Sequence, residues 1–505
     1  MNGKILFAVA GLVLLSGSTG SVLAGVSSGV QTSATNAANE TLELSVRDAV
    51  LTSLKNNPNV ALQKAASAIR KTYESEARAE FDPVLAGSVS KSKTETLQLS
   101  GSATGTVDTV ADRTTGSVSL STTLPTGTKL GVSASADISG TSANESDLAG
   151  ARFGVSVSQS LLRGLGTGAN LAALRQARLD SRISEYEFRG YIQSLVAQVE
   201  RQYWDNVLAA RNLAIYRESV SIAEKQLQDT QERITVGKLA TVELAAAQAE
   251  LALRREGLIN AEGLLETSRI KLLQYLGICG AGAWKCTLKP KDEPVVGEVG
   301  ADAPEEHVAV GDKLRPDLAQ ARLAVERNEL EVVRTRNGYL PKLDVFASFG
   351  QTGYAESLGK SVGADEGKGY DRTVGITAEW PLFNRKPAAQ KERAMLSKES
   401  SGNALKNMKQ LVEVDIRSAI VEVNRTKEQI KATQATRTFQ FAKLQAETEK
   451  FNAGKSTSLL VAQAQRDYLQ SQVGEINALI SYNKALTDLF LKDGSLLQRR
   501  GLDVP

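Results

Sequence analysis

RITVGKLATVELAAAQAEL at residues 233–251 and KFNAGKSTSLLVAQAQRDYL at residues 450–469 make the same statement twice. In each, a long amphipathic run stops at a Gly-Lys pair and resumes as an Ala-rich one. Gly237 and Gly454 fit the left-handed position that ends a helix, because glycine has no Cβ to clash there. Thr241 and Thr457 stand where they can cap the helix that follows. The chain therefore doubles back at both places, and the alanines let the returning helix pack closely.

Working outward, proline is absent from 126–289 and from 388–504, and glycine is scarce over 170–236 and 388–453. Each stretch is expected to hold one continuous helix, over 170–235 and 387–451. At 1.5 Å per residue such a helix is about 100 Å long, several times the core of an ordinary domain. Leu195, Val199, Tyr203, Leu208, Leu213 and Ile222 recur at coiled-coil-like intervals, so the helix needs partners along its length. The return helices are expected over 241–276 and 457–491, and shorter helices over 43–80 and 303–338.

The sequence aligns with itself over three blocks. At an offset of 258, Pro58 meets Pro316, Arg78 meets Arg336, Pro83 meets Pro341 and Leu85 meets Leu343. At 221, FGVSVSQSLL from Phe153 meets VGITAEWPLF from Val374. At 217, Ala177 meets Ala394, Gly237 meets Gly454 and Gln248 meets Gln465. The reading is two tandem repeats, 43–276 and 303–491, joined by a connecting loop over 277–302. A flexible N-terminal tail over 25–42 and a C-terminal tail over 492–505 flank them.

Within each repeat one region changes period. SVSLSTTL, KLGVSASADI, ARFGVSVSQS, LDVFASFG and TVGITAEW alternate apolar residues with small or polar ones, as strands with one face in lipid and one in water do. A soluble antiparallel sheet alternates in the same way. Phe81, Phe153, Tyr339, Trp380 and Phe383 cluster at strand ends, where interfacial belts sit. Four strands are expected in the first repeat, near 84–93, 114–124, 128–138 and 151–162, with LPTGT at 124–128 as a tight turn. Two are expected in the second, near 342–354 and 372–383. The minimum is four strands per chain, and the longer first region points to six.

The N-terminus reads as a signal peptide over 1–24: Lys4, an apolar stretch at 5–15, and Val22-Leu23-Ala24 before the cleavage point. After Ala24 no apolar run reaches the length of a membrane-spanning helix, so any spanning falls to strands. Export places Cys279 and Cys286, which bracket the Gly-rich CGAGAWKC loop, in an oxidising compartment, where a local disulfide is expected.

Composition excludes other classes. The 505 residues hold 60 Lys and Arg against 57 Asp and Glu, so there is no basic excess to hold a nucleic acid. One His and two Cys leave no ligand set for a zinc or haem site, and no cofactor is expected. GLGTG at 164–168 follows an alternating strand and opens far too long a helix for a dinucleotide loop. GVSSG at 25–29 has no strand before it to make a nucleophile elbow, and GKS at 359–361 fails the phosphate-loop spacing. The lone His307 reads as a surface residue, and no constellation supports an enzyme.

A signal peptide, two tandem helix–hairpin–long-helix repeats, SQSLLRGLGTGANLAALRQAR at the strand-to-helix joint and Gly-Lys turns between long helices together resemble the TolC-like outer-membrane efflux protein family, over residues 43 to 491. The resemblance implies a mainly α fold with β: a homotrimer whose chains share one outer-membrane β-barrel, in contact with outer-membrane lipid, continued by a long periplasmic α-helical barrel. It implies a periplasmic adaptor and an inner-membrane pump as partners, and drugs, metal ions or, in type I secretion, polypeptides as cargo.

On the same resemblance the adaptor docks at Val236, Gly237 and Lys238 and at Ala453, Gly454 and Lys455. Arg233, Glu243, Lys455, Arg466 and Asp467 are the side chains available for polar links that hold the periplasmic mouth shut. Where many members line the constriction with carboxylates, this chain has Leu460 and Gln463; only Glu243 matches an acidic tip position. The alternative from another class is a non-transporting trimeric coiled-coil structural protein or adhesin of the outer membrane.

Overall fold

The computed structural model describes residues 41–99, 106–141, 148–237, 239–278, 284, 286–294, 296, 303–363 and 368–502. The expected signal peptide and all but the end of the N-terminal tail lie outside them.

In chain order the elements are β1 (Thr41–Leu44), α1 (Val46–Asn56), α2 (Pro58–Arg78), β2 (Val84–Leu99), β3 (Thr106–Thr123), β4 (Thr128–Thr141), β5 (Leu148–Ser160), α3 (Thr167–Asn170), α4 (Ala172–Thr235) and α5 (Val242–Leu276). There follow β6 (Thr287–Pro290), α6 (Pro304–Leu314), α7 (Pro316–Gly338), β7 (Lys342–Ala355), α8 (Leu358–Gly363), β8 (Lys368–Glu379), α9 (Arg385–Asn452), α10 (Ser458–Lys492) and α11 (Leu496–Arg499). With 64 and 68 residues, α4 and α9 run about 96 Å and 102 Å. Among the described residues no helix is long and apolar enough to cross a membrane.

The shorter helices depart from expectation. Instead of one helix over 43–80 there are α1 and α2, and instead of one over 303–338 there are α6 and α7. Both breaks fall at the residue before a proline, Asn57 (φ −70°, ψ 118°) and Arg315 (φ −67°, ψ 122°). The proline ring forbids a helical residue ahead of it, then starts the next helix at the position where no N–H is needed.

The chain divides into two compact units. The first, Lys71–Asp180 with Val325–Ser400, contains a six-stranded antiparallel sheet ordered β2-β3-β4-β5-β7-β8. The β3–β4 turn closes through Leu124 N–H to Thr128 O at 2.8 Å, with Gly127 at φ 90°. The register sorts the side chains into two faces. One carries Leu85, Leu120, Val132, Val155 and Phe349 in a single cross-strand row; the next row along carries Ser119, Ser133, Gly154, Gly350 and Asp371 on the other face. On the polar face Ser88 and Ser117 share a 2.8 Å hydrogen bond, and Arg152 pairs with Asp371 at 2.7 Å. Gly350 is the vacancy that seats this pair, because a Cβ there would strike Asp371 and Arg152. The glycines of GLGTG form a joint: Gly164 (φ 89°) gives its carbonyl to Asn170 Nδ2 at 2.8 Å and its N–H to Asn337 Oδ1 at 2.8 Å.

The second unit, Ala34–Arg70 with Ser181–Ala324 and Ser401–Pro505, is helical around a core that includes Ile192, Leu195, Val199, Tyr203, Leu272, Ile416, Ile480 and Tyr482. Of the expected stripe on α4, Leu195, Val199, Tyr203 and Leu213 are buried and Leu208 is partly buried, whereas Ile222 is exposed. Val220 and Ala223 take the inward positions there, so the helix has turned past the strict repeat. β1 and β6 form a small parallel pair, which draws Thr41 and Leu42 out of the expected tail and residues 287–290 out of the connecting loop. Cys286 carries a free, half-buried thiol; Cys279 lies outside the described residues.

His307 is buried, contrary to the surface position expected of it. Its Nδ1 lies 2.9 Å from Asp493 Oδ2, itself fully buried, and the partner stands 186 residues away, beyond the reach of any local pattern. The residues after α10 also belong to this core, since Leu496 and Leu497 are buried and Arg500 forms two 2.7 Å bonds to Glu200.

Candidate functional site

The two turns that open the sequence analysis are built alike. Gly237 ends α4 at φ 66°, its N–H bonded to Ile234 O at 2.9 Å; Gly454 follows α9 at φ 71°, its N–H bonded to Phe451 O at 3.0 Å. At the second turn Lys455 N–H also reaches Lys450 O at 2.8 Å, which completes a Schellman closure. A Cβ on either glycine would meet nothing within 4 Å, so their conformation is dictated by the backbone alone.

Thr241 and Thr457 hold the N-cap positions of α5 and α10, but neither side chain makes the expected capping bond. At α5 the backbone starts the helix instead, through Glu243 N–H to Ala240 O at 3.1 Å and Leu244 N–H to Thr241 O at 3.2 Å. Thr241 is itself helical (φ −60°, ψ −22°), a geometry that turns its hydroxyl away from the open N–H groups.

Val236, Gly237, Ala453, Gly454 and Lys455 are exposed, and Lys238 lies outside the described residues. The structure ties the two turns together within one chain. Arg233 donates to Asn452 Oδ1 at 2.9 Å and sits over the Phe451 ring, 5.2 Å from its centroid. Ser458 donates its hydroxyl to Glu243. Arg233 and Glu243 therefore find partners across the turns and not in each other. Asn452, Phe451 and Ser458 had no visible signal except their place beside Gly454.

Further up, Asp467 pairs with Lys443 at 2.7 Å, and Arg466 lies 3.9 Å from Glu250. Glu250 also pairs with Arg254 at 2.5 Å, and Glu250 Oε1 and Arg254 Nη2 are buried without a hydrogen bond. Leu460 and Gln463 are exposed on α10. Between α5 and α10 the small side chains of Ala246, Ala249 and Ala462 leave a groove of about 360 Å³, edged by Ser458, Gln465 and Arg466. Glu447, at the end of α9, is held below the usual carboxylate range by its bonds from Lys450 and Ser456. The arrangement offers exposed turns, a groove and breakable polar links; among the described residues no cluster of His, Cys, Asp and Glu could hold a metal.

The profile of the family described as outer membrane efflux protein matches residues 129–278 and 313–495. The outer membrane protein TolC of Vibrio cholerae serotype O1 is 21% identical over 361 residues, which are 71% of this chain and 80% of that one. A membrane protein from Pseudomonas aeruginosa is similar in structure with a TM-score of 0.68 at 18% identity, over 89% of this chain and 93% of that one. The CmeC outer membrane channel of Campylobacter jejuni gives 0.66 at 17%, over 91% and 90%. Matched over both halves, with strands on one unit and long helices on the other, the chain belongs to the outer membrane efflux protein family: it is an outer-membrane channel protein with a periplasmic helical region, and not an enzyme.

Proposed function

We propose that this channel is the exit duct of a tripartite export system, in which three copies form the pore and a periplasmic adaptor joins it to an inner-membrane pump. The observation that carries the docking site is the pair of exposed left-handed turns, braced to each other by Arg233–Asn452 and Glu243–Ser458. A braced pair presents a fixed surface, which lowers the ordering cost of binding. The adaptor would contact Val236, Gly237 and Lys238 and Ala453, Gly454 and Lys455.

Support for the trimer comes from the sheet. Among the described residues β2 pairs only with β3 and β8 only with β7, so two long edges are open there, and six strands do not close a wide barrel. Three copies supply eighteen strands and leave no edge. The two halves of the chain, 43–276 and 303–491, are read as tandem repeats that give the pore its near-sixfold helical wall. Cys279 and Cys286 are proposed to bridge after export.

The duct is passive, with energy supplied by the pump. Arg233, Glu243, Lys455, Arg466 and Asp467, with Leu460 and Gln463 beside them, form the periplasmic gate, and adaptor binding shifts the population toward an open packing. A photo-crosslinking residue at Lys455, with a second at Lys238, tests this in cells. Capture of an adaptor together with its pump is expected. Capture of only neighbouring copies, under conditions where an established duct captures its adaptor, would favour the structural-protein alternative.

A further inference from the structure

The apolar face of the sheet ends in a cation. Along β8 the residues on that face are Tyr370, Arg372, Val374, Ile376 and Ala378, and the alternation continues to Trp380 just beyond the strand. Arg372 shares a cross-strand row with Phe349, and its guanidinium carbon lies 5.9 Å from the Phe349 ring centroid. Phe349 and Tyr370 stack at 6.1 Å with planes 29° apart. Arg372 is exposed and has no carboxylate partner among the described residues; the adjacent Asp371 points to the opposite face and is taken by Arg152.

Position says what an unpaired arginine does there. Trp380 and Tyr370 are ten residues apart. At ~3.4 Å per residue and a strand tilt of ~40°, that is roughly 26 Å of height, the thickness of an outer-membrane barrel's apolar band. α9 leaves the sheet from the Trp380 end, which is therefore periplasmic, and Arg372 lies at the outer boundary. An arginine on the lipid face is costly at mid-membrane and nearly free at this level. Beyond the Tyr370 row α8 covers the same face: a Cβ on Gly353 would strike the carbonyl of Ser361. The cluster is thus bounded by Val374 on the lipid side and by α8 on the outer side.

We propose that the outer end of β7 and β8, centred on Arg372, Phe349 and Tyr370, binds a phosphate of an outer-leaflet glycolipid. The guanidinium offers the two-pronged donor set that matches phosphate, and the rings lie beside it to cover the sugar and the first acyl carbons. Closing the barrel uses the edge of β8 and leaves its face open. In the trimer proposed above, β2 of the next copy would bring Lys91 and Lys93, exposed on the same face, beside the cluster. Only this addition rests on the trimer; Arg372 and its two rings belong to one chain.

The test is native mass spectrometry of the full-length protein in detergent with bis-phosphorylated lipid A and with the same lipid stripped of phosphate. The phosphorylated lipid should stay bound and the stripped one should not. Arg372→Gln should weaken retention about tenfold, the loss of one charge-assisted contact, and Arg372→Lys should restore part of it. Trp380→Leu, at the other boundary, should leave retention unchanged and shows whether a substituted barrel still folds. Equal binding of the two lipids, wild-type retention by Arg372→Gln, an equal loss in Trp380→Leu, or complete displacement by inorganic phosphate would each overturn the proposal.

Discussion

Arg233, two residues from the end of α4, donates to Asn452, the last residue of α9, at 2.9 Å. The bond joins residues 219 apart in sequence and makes the two turns one mechanical unit. Its second hold is the Phe451 ring, whose centroid lies 5.2 Å from the guanidinium carbon. Arg233→Ala with Glu243→Ala removes both braces and leaves every core contact intact. Single-channel conductance of the double variant in a planar bilayer is expected to rise; unchanged conductance would remove these residues from the gate.

Gly454 tests the docking surface separately from the gate. Its φ of 71° costs an L-residue about 1 kcal/mol, and a Cβ meets nothing nearby, so Gly454→Ala acts on backbone alone. Adaptor crosslinking at Lys455 should fall while barrel assembly and conductance stay as in the wild type. Gly311→Ala is the contrast, since its Cβ would lie 2.6 Å from Ile416 Cδ1 in the core. That variant should lose folded protein instead.

These glycines also mark what the sequence made legible. A Gly-Lys pair closing a long proline-free run is a local signal, and period-two alternation reports strands because both depend on neighbours along the chain. Pairings across the chain left no such trace. His307 meets Asp493, and Arg500 meets Glu200 from 300 residues away. The prolines at 58 and 316 are local signals as well, and each splits a helix that periodicity alone runs together. Arg372 opens the strand expected over 372–383, but its neighbour Phe349 lies across the sheet, so the alternation alone does not single it out.

Tyr203 sets an alkaline limit. Its hydroxyl donates to Leu44 O at 3.0 Å and accepts from Asp292 N–H at 3.2 Å, fastening β1 and the segment after β6 to α4. Burial pushes its pKa from the usual 10 up to about 12. Below pH 10 the phenol is protonated folded or unfolded and adds no pH dependence to stability. Between about 10 and 12 only the unfolded chain loses the proton, so stability falls as pH rises. Thermal melts across that window should show a decline that Tyr203→Phe flattens, at the cost of the two bonds at neutral pH. An unaltered slope in Tyr203→Phe would assign the decline to other groups.

Glu200 is the side chain on which the end of the chain depends. It is fully buried on α4, receives both bonds from Arg500 at 2.7 Å and a third from Thr487 at 2.8 Å. Removing one partner of a buried pair costs about 3–5 kcal/mol, but Arg500 is 39% exposed and solvent takes part of that, so about 2 kcal/mol is expected for Glu200→Ala. Arg500→Ala should cost at least as much, because among the described residues it leaves enclosed Glu200 with the Thr487 hydroxyl as its one hydrogen-bond donor. The double variant should then cost less than the sum of the two, the signature of a direct pair. Melting of the purified protein reads all three, and strict additivity would show that the Glu200–Arg500 pair does not hold α11.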